Sequence, residues 1–294
     1  MEAKRGIFTV DKPGILSLVQ DGGRAAYLGQ GIPAGGPMDV RSAQLANALV
    51  GNPPHHPVLE ITLIGPRLLV KGEAQMALTG ADLSPTLNGI PLLAYQNHLL
   101  QTGDVLAFGR PLIGCRAYLA IRGHWSIPSV FESQAAFPPA LSHLLPESRL
   151  EKGQVWSVTA ADFIAGKALS ASLQPKFPSN WVIRMFPGPE FDQFCALEVG
   201  QFFSQVFTVK PASNRMGIRL DPPLSAFASQ PEMISSGVIA GTLQLAHGGE
   251  VMVLMRDAQT TGGYPRFGQV FSEDVSLLGQ AKAGDQIRFQ LQRH

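Results

Sequence analysis

The chain has 294 residues, enough for two domains of ordinary size, and 45% of them are hydrophobic, which supplies two substantial cores. Its 23 basic and 22 acidic residues nearly cancel, and no block of like charge occurs. This balance excludes the usual electrostatic basis for binding nucleic acid or an anionic membrane, so neither is expected as a partner. No apolar run approaches the ~18 residues that span a bilayer, and no secretory signal is recognisable. A cytoplasmic location is therefore expected.

Several common catalytic motifs are absent from the sequence. Cys115 and Cys195 are the only cysteines, and their spacing fits neither a metal site nor a redox pair. There is no His-Glu-x-x-His motif, so no metal site is predicted. There is also no Gly-x-Ser-x-Gly elbow of a serine hydrolase and no Gly-x-x-x-x-Gly-Lys-Ser/Thr phosphate loop.

The elements of the first half are mostly predicted strands. The 31 glycines and 23 prolines divide the chain into short segments, which is typical of a mainly β protein. One helix is predicted over residues 39–50, because Asp39 can cap it, apolar residues recur at helical spacing, and Gly-Asn-Pro-Pro follows. Strands are predicted over residues 68–78 and 116–122.

The second half contains the clearest strand of the chain. Residues 286–292 alternate strictly between polar and apolar, which predicts a strand with one buried face. A second, shorter helix is predicted over residues 191–197, after Pro-Gly-Pro.

Short segments recur in the same order in both halves. Residues 101–108 resemble 282–289, and residues 76–82 resemble 253–259, at a separation of about 180 residues. So long a period predicts a duplicated domain, with domains over 1–165 and 175–294. Chance similarity between short Gly-Asp turns is the alternative explanation.

Polar residues are concentrated in three glycine-containing clusters, residues 19–39, 213–220 and 257–265. Glycines let a ligand approach the backbone, whose N–H groups can stabilise an oxyanion, and arginine can bind a carboxylate or phosphate through two parallel bonds. The alternative is that the clusters are tight turns whose polar groups only satisfy backbone. Composition alone favours that alternative slightly.

The order of these motifs resembles a known family. Residues 19–31, Pro-Ala-Gly-Gly-Pro-Met-Asp at 33–39, residues 213–220 and Gln-Thr-Thr-Gly-Gly-Tyr-Pro at 259–265 are similar to the biotin-dependent carboxyltransferase family. That family includes the C component of 5-oxoprolinase, allophanate hydrolase subunit 2 and the carboxyltransferase domain of urea carboxylase. The resemblance covers essentially the whole chain and implies two cyclophilin-like β-barrels related by internal duplication.

The resemblance also implies a function in polarising an unreactive amide. The main hypothesis is the C component of an ATP-dependent 5-oxoprolinase, which opens 5-oxoproline to glutamate and acts only in complex. Its partners would be a subunit 1 homologue (the B component) and a third protein of the A type, and ATP would be used by the complex. The implied catalytic residues are Arg24, Arg215 and Asp257, the arginines stabilising charge on the amide oxygen and the carboxylate relaying a proton. The implied substrate-binding residues are Gln20, Asp21, Gly35, Met38, Asp39, Asn214, Gln259, Thr260, Thr261, Gly262, Gly263 and Tyr264.

Two alternatives stay open at this point. The first is the carboxyltransferase component of a biotin-dependent urea carboxylase system, with biotin carried on another chain because no Met-Lys-Met signature occurs here. The second is a regulatory protein that binds its subunit 1 homologue without turnover.

Overall fold

The computed structural model describes residues 5–159, 161–224 and 233–292. The chain divides into two compact units, Met1–Arg24 with Gly35–Phe177 and Ala25–Ala34 with Pro178–His294. The segment Ala25–Ala34 thus groups with the second unit, although it lies within the predicted first domain. The domain boundaries 1–165 and 175–294 stay a prediction.

The first unit is built of antiparallel strands in two sheets. The strands are β1 (Arg5–Lys12), β2 (Leu16–Gln20), β3 (Val58–Thr62), β4 (Arg67–Lys71), β5 (Ala74–Asp82), β6 (Thr86–Leu87), β7 (Ile90–Pro91), β8 (Asn97–Leu100), β9 (Val105–Ala107), β10 (Ile113–Ile121), β11 (His124–Trp125) and β12 (Val155–Thr159). The seven-stranded sheet has the order β11-β12-β1-β4-β9-β6-β7, and the five-stranded sheet has the order β2-β3-β10-β5-β8.

The predicted helix of the first half is confirmed as α1 (Val40–Val50). The carboxylate of Asp39 accepts the backbone N–H of Ser42, and Gly51 ends the helix with φ 71°. Small apolar residues on one face of α1, including Ala43 and Ala46, pack against the five-stranded sheet. Because alanines keep the contact short, the start of the helix lies close to the polar residues of that sheet.

One predicted strand of the first unit is wrong in its bounds. The interval 68–78 contains the end of β4 and the start of β5, since Gly72 adopts φ 88° and turns the chain between them. The strand predicted at 116–122 is confirmed as most of β10.

The second unit contains a closed barrel of seven strands in the order β13-β20-β17-β18-β15-β14-β21. Its parallel pair β13–β21 joins the first barrel strand to the last. The strands are β13 (Asn180–Pro187), β14 (Phe207–Val209), β15 (Gly217–Asp221), β16 (Ser236–Gly237), β17 (Thr242–Ala246), β18 (Glu250–Leu254), β19 (Thr261–Gly262), β20 (Arg266–Val270) and β21 (Gln286–Leu291). The helices are α2 (Ala196–Ser204) and α3 (Ser272–Leu278).

Aromatic packing fills the second unit. Phe202 on α2 lies 4.5 Å from Phe267 and 5.2 Å from Phe289, measured between ring centroids. β21 alternates between exposed and buried residues up to Phe289, as predicted. The helix predicted over 191–197 is displaced: a short 3-10 turn ends at Gln193, and α2 begins only at Ala196.

The mainly β prediction is confirmed, and the second unit supplies a closed barrel. The strands of the first unit are instead divided between two sheets. The difference depends on pairing, because the second unit joins its terminal strands β13 and β21 in parallel. Nowhere in residues 5–159, 161–224 and 233–292 does a helix have the length and apolarity needed to cross a membrane.

The two units share one turn in detail. In the first, the Asp104 carboxylate accepts the backbone N–H three residues earlier at 2.8 Å, and Gly103 adopts φ 96°. In the second, the Asp285 carboxylate makes the same bond at 3.1 Å, and Gly284 adopts φ 90°. This likeness supports the duplication, which stays a prediction.

Candidate functional site

The acidic and amide side chains at the end of β2 hold backbone turns together. Asp21 Oδ1 accepts the Gly23 N–H at 2.9 Å and the Ser133 hydroxyl at 2.6 Å. Its Oδ2 accepts the backbone N–H of the residue after Ser133 at 2.6 Å. Gln20 is fully buried, and its Oε1 accepts the Gly36 N–H at 2.9 Å. Both side chains therefore join distant loops of the first unit.

Arg24 is also engaged in the interior of the first unit. Its side chain is only 2% exposed, donates to the Ala135 carbonyl, and stacks with its guanidinium carbon 3.8 Å from the centre of the Phe137 ring. A Cβ at Gly35, where φ is 64°, would lie 3.3 Å from Arg24 Nη1. Glycine at this position leaves room for the arginine.

Asp39 and Met38 belong to a buried polar network above the five-stranded sheet. Glu60 Oε2 accepts the Met38 N–H at 2.7 Å and the Tyr118 hydroxyl at 2.9 Å, and that hydroxyl oxygen accepts the Asp39 N–H at 2.8 Å. Burial, together with the nearby Glu60 carboxylate, raises the pKa of Tyr118 well above its usual value. Since Met38 is fully buried, its place in the first unit is that of a core residue.

In the second unit, Arg215 and Asp257 form a two-point ion pair. Arg215 Nε and Nη2 donate to the two carboxylate oxygens of Asp257, each at 2.8 Å, and the Asp257 N–H donates to the Arg215 carbonyl at 2.9 Å. The two residues are 5% and 3% exposed. Both carboxylate oxygens of Asp257 therefore take part in a buried ion pair. The side chain of Asn214, next to Arg215 in the chain, is exposed and accepts the Met216 N–H.

The polar segment that follows is much more accessible. Gln259 and Thr261 are exposed, and Thr260 and Gly262–Tyr264 are half-buried. Its strand β19 pairs with β16 through only two residue pairs. The ring of Tyr264 meets His247 edge to face at 5.9 Å. Hydroxyl, amide and backbone groups are therefore presented together along residues 259–264, which we name the polar loop.

Space, and not backbone conformation, accounts for the adjacent glycines of the polar loop. Neither Gly262 nor Gly263 adopts a left-handed φ. A Cβ at Gly262 would lie 2.6 Å from Gln244 Nε2, and one at Gly263 would lie 3.1 Å from the Met233 carbonyl oxygen.

Two polar residues near this loop were not predicted from the sequence. Gln244 on β17 is fully buried beneath Gly262. The Glu190 carboxylate accepts hydrogen bonds from Arg266, two residues beyond the loop, at 2.9 Å from Nε and at 2.6 Å from Nη2. That hydrogen bonding outweighs burial and lowers the pKa of Glu190. A lone glutamine within the apolar run Thr-Leu-Gln-Leu-Ala was the available signal for Gln244.

The described residues also bear on metal and phosphate binding. Within 5–159, 161–224 and 233–292, no group of three or more His, Cys, Asp or Glu residues could hold a metal ion. Each α-helix carries a carboxylate at its start: Asp39 caps α1, Glu198 lies in the first turn of α2, and Glu273 and Asp274 lie in that of α3. Negative charge there opposes the phosphate binding that helix N-termini otherwise favour.

Relatives of known name match nearly the whole chain. The C component of 5-oxoprolinase from Escherichia coli strain K12 is 32% identical over 282 residues, which cover 95% of this chain and 89% of that protein. Urea amidolyase of Lachancea kluyveri is 31% identical over 96% of this chain, but the match spans only 17% of that longer protein.

Solved structures agree with these relatives. The crystal structure of the Kluyveromyces lactis urea carboxylase matches all of this chain with a TM-score of 0.88 at 31% identity, and the chain spans 28% of that protein. Residues 30–291 match the family described as carboxyltransferase domain, subdomains A and B. The chain therefore belongs to the carboxyltransferase-domain family, subdomains A and B.

Proposed function

We propose that this chain is the C component of an ATP-dependent 5-oxoprolinase complex, in which it contributes part of a composite amide-activating site. The observation that carries the proposal is the correspondence with the C component of E. coli 5-oxoprolinase over 89% of that protein's length. In the urea amidolyase relative, the matching region is a small part of a much longer chain.

The polar loop is the segment that we assign to the substrate. Gln259, Thr260 and Thr261 provide donors and acceptors for an amide, and Tyr264 provides a flat face. Gly262 and Gly263 carry no Cβ, so a planar ring can approach their backbone closely. Opening a lactam adds water across its C–N bond, and negative charge develops on the carbonyl oxygen, so donors at this position lower the barrier.

The Arg215–Asp257 pair is assigned a positioning role. Its two 2.8 Å bonds fix the start of the segment that leads into the polar loop. Six residues are assigned to support of the first unit, because the contacts described above join them to buried loops and backbone. They are Arg24, Gln20, Asp21, Gly35, Met38 and Asp39. In both assignments the residues hold the surrounding backbone in place and do not contact the reacting amide themselves.

ATP is assigned to another chain of the complex. Carboxylates at the starts of α1, α2 and α3 make those helix termini unsuitable for phosphate. The proposed partners are the subunit 1 homologue (the B component) and a third protein of the A type. These chains would bring the nucleotide and the remaining catalytic groups to the amide.

A second candidate is the carboxyltransferase component of a biotin-dependent urea carboxylase system. The TM-score of 0.88 to the K. lactis urea carboxylase favours it. In that case the polar loop would receive urea or the ureido ring of biotin carried on another chain. Both candidates require a planar amide to lie against the same backbone.

Purification of the chain with its native partners tests these candidates. We expect the reconstituted complex to convert 5-oxoproline to glutamate only with ATP, and the single chain neither to hydrolyse ATP nor to open 5-oxoproline. Turnover by the single chain at the rate of the complex would contradict the proposal. A biotinylated partner together with ATP-dependent carboxylation of urea would select the second candidate, and a tight complex without turnover would favour a regulatory role.

A further inference from the structure

Gln244 carries a buried acceptor that has no donor among the residues that the structure describes. Its side chain is fully buried on β17. Nε2 donates to the Tyr264 carbonyl at 3.4 Å, while Oε1 has no hydrogen-bond partner in the part of the chain that the structure describes. A buried carbonyl without a donor costs stability, so it calls for a function.

The orientation of this amide follows from its neighbours. The Tyr264 carbonyl oxygen requires a donor, so the NH₂ end must face it, and the reversed amide would place two oxygens together. Oε1 is therefore the unused end of the side chain.

Gly262 separates this amide from the accessible face of the polar loop. The three atoms nearest to a Cβ at Gly262 would all belong to the Gln244 amide, at 2.6, 3.5 and 3.5 Å. Gly262 lies on β19, which pairs with β16 through two residue pairs. The nearest of these amide atoms is Nε2, and Oε1 lies 3.5 Å from the Cβ position, so Oε1 contacts a ligand on the loop only when Gly262 moves aside.

We propose that Gln244 determines specificity by accepting, through Oε1, a hydrogen bond from the ring N–H of a lactam or cyclic ureide. This inference rests on the proposed amide-activating function and names the chemistry that the site selects. A ring amide presents an N–H beside its carbonyl, so Oε1 binds the former while Thr260 or Thr261 donates to the latter. N-substituted lactams lack the donor and leave Oε1 unpaired.

Other buried glutamines show what an ordinary structural amide looks like. Gln75 is 2% exposed, and both of its ends are satisfied by Ile164: Nε2 donates to the carbonyl at 2.9 Å, and Oε1 accepts the N–H at 3.0 Å. Gln20 also has an unpaired buried atom, Nε2, but it lies beside the buried Gly36 and not beneath an accessible loop. Gln75 thus serves as a matched control.

The experiment compares Gln244→Met and Gln75→Met in the reconstituted complex. We expect Gln244→Met to raise the KM for 5-oxoproline by about tenfold or more, with a smaller change in kcat and an unfolding temperature that does not fall. Gln75→Met should lower the unfolding temperature, because it leaves both Ile164 groups unpaired, and should leave KM unchanged. If Gln244→Met does not fold, Gln244→Asn is used instead, because it keeps an amide on a side chain that is one methylene shorter.

Binding of two small lactams provides a readout that does not need turnover. By saturation-transfer NMR, the wild-type complex should bind 2-pyrrolidinone about tenfold more tightly than N-methyl-2-pyrrolidinone, and Gln244→Met should lose this preference. An unchanged preference, or a KM equal to that of wild type, would overturn the inference and assign Oε1 to a buried water. A wild-type complex that binds 2-pyrrolidinone with this preference but does not open 5-oxoproline would refute only the proposed function.

Discussion

The glycine pairs at 35–36 and 262–263 differ in what they require of the backbone. Gly35 and Gly36 are buried and adopt φ of 64° and 89°, which ordinary L-residues avoid. Gly262 and Gly263 are half-buried and have no left-handed φ, but side chain or backbone lies close to where their Cβ atoms would be. The first pair therefore requires a backbone conformation that favours glycine, whereas the second requires space.

The charged residues beside these glycines differ in the same way. In the first unit, Asp21 and Asp39 accept hydrogen bonds from backbone and serine hydroxyls. In the second, Asp257 holds Arg215 and leaves the neighbouring polar loop accessible. Similar glycine-rich motifs can therefore lie in a rigid interior or in an accessible loop, depending on which neighbours satisfy their polar groups.

Removal of the buried pair should have the largest effect. Asp257→Ala leaves the Arg215 guanidinium buried without its carboxylate, so we expect a loss of ~3–5 kcal/mol in the free energy of unfolding. Chemical denaturation measures it. The control is Glu250→Ala: this carboxylate is 47% exposed and lies 3.3 Å from Arg219 and 3.7 Å from Lys210, and the expected loss is ~0–1 kcal/mol. Equal losses would show that the two pairs do not differ as the structure indicates.

The next largest effect is on activity. Gly262→Val should lower turnover by the complex by about a hundredfold, because its Cβ would lie 2.6 Å from Gln244 Nε2 and would displace both that amide and the loop backbone, while assembly with the partner chains remains intact. Gly237→Val, in the paired strand β16, is the control, since nothing lies within 4 Å of its Cβ position. Loss of folding with Gly262→Val would support a purely structural hairpin, and full activity would refute the binding assignment.

A smaller effect, on stability, is expected from backbone strain, and here the first glycine pair should be the more sensitive one. Gly36→Ala should cost ~1–2 kcal/mol of unfolding free energy, because alanine is disfavoured at φ 89°. Gly262→Ala should cost less, since its contact at 2.6 Å is with the end of the Gln244 side chain, which can move. Thermal or urea unfolding of the two variants measures the difference. A larger cost at Gly262 would reverse the comparison.

The smallest expected effect is a pH dependence at Glu190. Its lowered pKa means that pairing with Arg266 stabilises the fold above the usual value of 4.5. As the pH falls below 4.5, the unfolded state binds the proton first, and this stabilisation disappears as the pH passes the lowered pKa of the folded state. The difference in unfolding free energy between wild type and Glu190→Gln should therefore be larger at neutral pH than well below pH 4.5.

Asp11→Asn is the matched control for this titration. Asp11 also has a lowered pKa beside Arg67, but these side chains are 33% and 45% exposed. Solvent weakens such a pair, so its pH-dependent contribution should be smaller. A larger contribution from Asp11 would contradict the distinction between the two pairs.

Local patterns in the sequence predicted those elements whose signals are themselves local. The cap at Asp39 and the stop at Gly51 fixed α1, and strict alternation fixed β21. The prediction of one strand over 68–78 was wrong because a single glycine, Gly72, turns the chain without interrupting the apolar pattern. Ordered motifs also carried the family resemblance, which the comparisons confirm.

By itself the sequence determined the mainly β class, the one helix of the first half, the family and the polar loop as a candidate. Tertiary structure decided how the candidates are used: that Asp257 binds Arg215, 42 residues away, and that Gln244 lies beneath Gly262. It also decided that β13 and β21 close a barrel. Local periodicity reports which face of an element is buried, whereas these contacts depend on which distant strands pair and in what register.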